Sequence, residues 1–368
     1  MHKNLLVTIL FLQLFTVARS QDSTARRLGV SLGLHYGFLV AHRPLIIPLQ
    51  QGHIRGLESN FKIRPDGSKN WHHTYGFPEM GISLSVWDLG NQNQLGKAVT
   101  LMPYLDFPLA RGRHTSLELK FGWGLGYVEK IFDADKNYKN VALGSHLNYG
   151  LKLQPRIKVR INDHLGFNGG LSITHFSNGS MATPNLGLNL LTVTGGFIYK
   201  IGEKQLLRKK MVASFEKSSR LTFFGAASLK QVYPADGKNY YAVTVSGNHS
   251  WQLSPKSAIG FGGDVFYDSS INQKLEERNL VLKNSLQALR AGLHGSYELV
   301  IDDLSVIINM GGYLYTKLHN DGSIYHRIGL RYRLSEKLFV LMHLKSHWGK
   351  ADYVEWGLGY RMDKRKSK

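Results

Sequence analysis

His175 and Ser177 stand two residues apart at the end of a run in which alternate positions are apolar: Leu165, Phe167, Leu171 and Ile173. A β-strand sends residues i and i+2 to the same side. An imidazole and a hydroxyl therefore fall side by side at the end of an apolar face, the pairing that a general base and a nucleophile for ester cleavage need. Asn178 and Gly179 follow, and the chain then reads Pro184-Asn185-Leu186-Gly187, a segment of turn-forming residues. A second alternating run covers residues 187–201, with Leu191, Val193, Phe197, Tyr199 and Ile201 on one face and Asn189 sharing their parity. A hairpin that sets Ser177 against Gly187 sets His175 against Asn189, with Cβ atoms about 5 Å apart.

The elements that carry these residues look like strands of a membrane barrel. The chain holds 39 glycines, 18 tyrosines, 17 phenylalanines and 10 prolines at negative mean hydropathy. It contains no cysteine, which excludes disulfides and thiolate chemistry. Residues 147–161 alternate with period two: Leu147, Tyr149, Leu151, Leu153, Pro155, Ile157, Val159 and Ile161 against Asn148, Gly150, Lys152, Gln154, Arg156, Lys158 and Arg160. That is long for a globular strand and suits a tilted barrel strand with a charged lumen. Residues 324–333 and 354–362 repeat the pattern. The expected fold is all-β: an antiparallel transmembrane β-barrel of about fourteen to sixteen strands. One large barrel is the favoured arrangement, and two eight-stranded barrels over about 28–202 and 220–362 the alternative. The charged stretch 202–220 would be a long turn in the first case and a linker in the second.

The start of the chain has the form of an export signal. His2 and Lys3 precede an apolar run from Leu5 to Val17, and Ala18-Arg19-Ser20 offers a cleavage site before Gln21. Residues 1–20 are thus expected to be a signal peptide and residues 21–368 the barrel. Beyond them no run is apolar and long enough for a membrane helix. The formal charge of +20 falls by two without Lys3 and Arg19. In an exported chain it points to anionic lipopolysaccharide rather than to nucleic acid. With a periplasmic N-terminus, the seventh strand rises outward, which places His175 and Ser177 at the outer-leaflet end.

His175-Phe176-Ser177-Asn178, followed by the Pro-Asn-x-Gly turn, resembles the lipid A 3-O-deacylases (PagL-like) and the related acyloxyacyl hydrolases of Gram-negative outer membranes. The likeness is specific over residues 175–196 and architectural elsewhere. It implies an outer-membrane esterase that removes an ester-linked acyl chain from lipid A. His175 would be the base and Ser177 the nucleophile, and the amides of Asn178 and Gly179 would form the oxyanion site. The family's third member is a glutamate on the next strand. Here Asn189 falls at or near that place, and no Asp or Glu occurs between Asp163 and Glu203. No cofactor and no protein-bound metal are expected. The competing reading is a non-enzymatic barrel, a pore or structural protein.

Other candidates carry less. His347 and Glu355 flank a short loop, and their parity points both into the lumen, where a structural pair is expected. His72 and His73 lie in a polar loop with Asp66 and Asp88 nearby, in a spacing that matches no metal motif. Gly122-Trp123-Gly124-Leu125-Gly126 sits within a strand pattern, so close strand packing accounts for it better than a nucleotide loop. Residues 364–368 read as a solvated periplasmic tail.

Overall fold

The computed structural model describes residues 28–202, 215–232, 237–276 and 285–365. The signal sequence expected at 1–20, most of the charged 202–220 stretch and residues 366–368 lie outside the described residues. Among the described residues, sixteen strands form two closed antiparallel sheets of eight. The first contains β1 (Leu28–Leu39), β2 (Ile54–Ile63), β3 (Glu79–Asp88), β4 (Lys97–Arg111), β5 (Thr115–Val128), β6 (Leu147–Arg160), β7 (Leu165–Ser177) and β8 (Leu188–Ile201). It closes through β1 and β8, from Leu28 opposite Ile201 to Leu39 opposite Leu190. The second contains β9 (Ser218–Lys230), β10 (Tyr240–Gln252), β11 (Ser257–Asp268), β12 (Leu289–Ile301), β13 (Leu304–Tyr315), β14 (Ile324–Arg333), β15 (Leu338–His347) and β16 (Lys350–Arg365). It closes through β9 and β16.

The two-barrel alternative is therefore the arrangement formed, not the single large sheet favoured from the pattern. The reason lies in the lumen. Glu58 on β2 meets Lys120 on β5 at 2.7 Å and also pairs with Lys152 on β6. Asp106 on β4 pairs with Arg156 and, at 2.6 Å, with Lys158. In the second barrel Asp264 takes His294 at 2.7 Å and Arg327, while Asp352 takes Lys345 at 2.8 Å and Lys230. Such pairs span an eight-stranded interior, which side chains can just fill, but not the wide channel of a sixteen-stranded one. The cluster of Glu79, Asp106 and Glu118 has its charge answered by Lys62, Lys158 and Arg156.

The outer surface is apolar. Along β1, Val30, Leu32, Leu34, Tyr36 and Phe38 are exposed, while His35 between them is buried. Such a face suits lipid rather than water. Short turns at 112–114, 161–164, 253–256, 302–303 and 334–337 mark one end of the barrels. The longer connections 40–53, 129–146, 178–187 and 269–288 mark the other, the asymmetry of periplasmic and external ends. The 64–78 connection, which carries the helix Asn70–Thr74, is a long one at the short-turn end. There the barrels touch: Tyr75 Oη donates to Val300 O at 2.6 Å and Lys69 pairs with Asp302 at 2.6 Å.

Several side candidates resolve here. His347 and Glu355 both face inward, yet they do not pair with each other. His347 Nε2 lies 2.8 Å from Tyr313 Oη, whereas Glu355 bonds Thr244 at 2.6 Å and His343 at 3.4 Å. His72 Nδ1 accepts from Gly67 N at 3.2 Å and His73 Nε2 lies 2.7 Å from Gly67 O, so both pin a turn. Asp66 is 3.6 Å from His72, but Asp88 ends β3 at the opposite rim. Residues 122–126 lie within β5. A Cβ on Gly126 would come within 2.5 Å of the Phe176 ring.

Candidate active site

The hairpin of β7 and β8 is oriented by Phe176. Its side chain is fully buried in an apolar cluster at the outer end of the first barrel, with Leu39, Ile46, Leu49, Trp87, Leu188 and Leu190 among its members. Burying an aromatic ring of this size contributes on the order of 2–3 kcal/mol. Alternation then forces His175 and Ser177 to the other face. The β7–β8 register sets His175 opposite Asn189 and Phe176 opposite Leu188. Tyr149 on β6 lies opposite Ser177.

Hydrogen bonds define a single direction through the site. Backbone Leu186 O can only accept, so His42 Nε2, 2.9 Å away, carries the proton. His42 Nδ1 then accepts from Asn189 Nδ2 at 2.8 Å. Asn189 Oδ1 lies 2.6 Å from His175 Nδ1 and accepts a hydrogen bond from its N–H. The chain of donors leaves the lone pair of His175 on Nε2, the tautomer that a general base requires. Among the described residues Nε2 has no hydrogen-bond partner, and His175 makes no ion pair. Gly187 lies directly beneath the ring: a Cβ there would stand 2.8 Å from His175 Cε1, and its φ of +80° suits glycine.

Ser177 is held separately. Its Oγ accepts from Asn185 Nδ2 at 2.9 Å and from Gly179 N at 3.2 Å. Asn185 Oδ1 lies 3.3 Å from the same Oγ and accepts Asn178 N at 3.1 Å. His175 and Ser177 share a face but not a hydrogen bond. The carboxamide oxygen of Asn185 thus lies beside both the Ser177 hydroxyl and the Asn178 amide. A substrate carbonyl that displaced it would receive the Asn178 N–H in return.

The structure thus brings together His175, Ser177, Asn178, Gly179 and Asn189 on one rim. Sequence reasoning missed two members. Asn185 was visible within the Pro-Asn-x-Gly turn but had no assigned part. His42 arrives from the loop after β1, 147 residues from Asn189, and no local spacing marks it.

Comparison with known proteins places the chain in a class and then in a family. Two closed barrels with apolar exteriors define an outer-membrane β-barrel protein of a Gram-negative bacterium. Residues 55–197 match the family model described as lipid A 3-O-deacylase (PagL), and residues 218–365 match acyloxyacyl hydrolase, C-terminal domain. The chain belongs to this hydrolase family, with one match in each barrel. Among solved structures, the outer membrane enzyme PagL is similar at 16% identity, covering 46% of this chain and 97% of its own, with a TM-score of 0.30. Neisserial surface protein A is similar at 7% identity, covering 48% and 97%, with a TM-score of 0.34. The translocator domain of the autotransporter NalP from Neisseria meningitidis is 12% identical over 98% of this chain and 95% of its own, with a TM-score of 0.20. No curated protein matches the chain.

Proposed function

We propose that this protein hydrolyses an ester-linked acyl chain of lipid A, with Ser177 as nucleophile and His175 as general base. Ser177 Oγ attacks the ester carbonyl as its proton passes to His175 Nε2, and a tetrahedral oxyanion forms. Asn178 N–H, freed as Asn185 Oδ1 is displaced, stabilises that charge together with Gly179 N–H. Collapse expels the lipid A hydroxyl, which takes the proton from His175, and leaves an acyl-serine. Water, deprotonated by His175, then releases the fatty acid and restores Ser177. The observation that carries this reading is the relay from Leu186 O through His42 and Asn189, because it fixes the His175 lone pair on the nitrogen able to take the serine proton. The position of the pair supports the substrate: it faces outward at the outer end of β7, where acyl esters of the outer leaflet lie. The family match supports the choice of lipid A.

Asn189 orients the imidazole but cannot neutralise an imidazolium, as asparagine also orients histidine in Cys-His-Asn enzymes. The test is mass spectrometry of lipid A from cells making the native protein or Ser177→Ala. Loss of one acyl chain with the native protein alone is expected. An identical acylation pattern in both, with both proteins inserted, overturns the reading.

A further inference from the structure

The turn that follows Ser177 is gripped from outside the first barrel. Gln231, just past the end of β9, donates its backbone N–H to Ser180 O at 2.7 Å, and its side-chain Oε1 accepts Thr183 N at 3.0 Å. Ser180 Oγ donates to Ala351 O on β16 at 3.2 Å. Val354, also on β16, shares its parity with the lipid-facing Trp356 and Leu358. Those two are 47% and 56% exposed, whereas Val354 is 6% exposed. Gly179 is what covers it: a Cβ on Gly179 would lie 2.2 Å from Val354 Cγ2.

The backbone explains why such a grip matters. Gly179 and Ser180 are consecutive left-handed residues, with φ of +64° and +67°. Serine enters that region at a cost, so the conformation persists only where surrounding contacts hold it. The contacts that Ser180 makes through its own carbonyl and hydroxyl both go to the second barrel. The first of the two, Gly179, carries the N–H that meets Ser177 Oγ.

We propose that the second barrel is a positioning element for the turn 178–183, with Gln231 the residue that locks it. The proposal rests on the reading of Ser177 as nucleophile. Among the described residues, the hydrogen bonds of Gln231 go to Ser180, Thr183, Gly237 and Asn239 and to neither Ser177 nor His175. It acts through Ser180 and Thr183, so it aims the amide donors beside the nucleophile rather than joining the chemistry. Its carboxamide is itself oriented, because Nε2 donates to Gly237 O and Asn239 Oδ1, both at 3.3 Å. On this view the added barrel tunes the rate of hydrolysis at a site that lies wholly in the first.

The test uses the full-length protein in detergent, with purified lipid A in mixed micelles as probe. Gln231→Leu and Val354→Ala are compared with Gln231→Glu, which keeps the acceptor for Thr183 N–H. Heat-modifiable migration on gels confirms that each variant remains a closed barrel. Two readouts are taken: amide hydrogen exchange across 178–187, and kcat and KM. Gln231→Leu should exchange faster in that segment and lose roughly five- to tenfold in kcat at unchanged KM, with recovery in Gln231→Glu. Unchanged exchange, or faster exchange with unchanged kcat, overturns the positioning role. Faster exchange in a protein whose lipid A hydrolysis is absent and indifferent to Ser177→Ala overturns the catalytic reading and, with it, the effect on rate, while the mechanical grip stands.

Discussion

His175 and Asn189 face each other across the β7–β8 ladder, and Asn189 Oδ1 lies 2.6 Å from His175 Nδ1. The amide nitrogen of the same asparagine reaches His42 at 2.8 Å. A neutral side chain with one acceptor and one donor end is thus held in one orientation, and it sets the tautomer of the histidine without supplying charge.

That arrangement makes Asn189 replaceable in a telling direction. Asn189→Asp would add a carboxylate beside the imidazolium that the proposed mechanism forms as Ser177 loses its proton. With that charge in place, kcat should rise about tenfold. Asn189→Leu should lower it by about a hundredfold, because the ring loses its orientation. A rise with leucine or a fall with aspartate, read from initial rates on lipid A, would remove Asn189 from the site.

His42→Phe keeps a ring of similar size on the outer loop but gives Asn189 Nδ2 no acceptor. The asparagine can then turn and present nitrogen to His175. A fall of roughly three- to tenfold in kcat is expected, absent in an Asn189→Leu background. Additive losses in the double variant would mean that His42 acts by another route.

Gly187→Ala tests the floor under the imidazole. The new Cβ would stand 2.8 Å from His175 Cε1 at a backbone φ of +80°. The strain costs about 1 kcal/mol of stability, and displacement of the ring by a fraction of an ångström should cost more than about tenfold in rate. Thermal unfolding and hydrolysis measured on one preparation separate the two effects. Wild-type rates in this variant would place the ring elsewhere during catalysis.

Glu58→Leu probes the lumen of the first barrel. It leaves Lys120 and Lys152 without their buried carboxylate. Removing one partner of such a network destabilises by about 3–5 kcal/mol. The temperature at which the barrel opens in detergent should fall, while Ser177-dependent hydrolysis at low temperature survives. An unchanged opening temperature would show that water reaches those lysines.

The cross-lumen pairs also bear on the pore reading. Side chains from β2, β5 and β6 meet inside the first barrel, and Asp264, His294 and Arg327 meet inside the second. Planar bilayers containing the protein should show no steady ion conductance. Steady currents that persist in Ser177→Ala would favour a channel.

Much of the site was legible because strand alternation is a local rule. Leu165, Phe167, Leu171 and Ile173 mark a face, and counting by two carries that face to His175 and Ser177. The hairpin register followed from one turn, and it sets Asn189 opposite His175. His42 was not legible, since a loop 147 residues away in sequence returns to the rim only when β1 and β8 close the sheet. The pairing of His347 and Glu355 with other partners had the same cause: parity gives the direction of a side chain, and the tertiary fold gives what it meets.

From its residues alone, the chain was determined to be an outward-apolar, inward-charged barrel protein with a histidine and a serine on one strand face, because period-two patterning is written in adjacent residues. The tertiary structure decided that β8 returns to β1 instead of continuing to β9. Ladder closure depends on which distant edges meet and on whether the charged interior can be spanned by side chains. It also decided that Gln231 and Val354 press on the turn after Ser177, a contact between two barrels that no repeat or spacing within either one encodes.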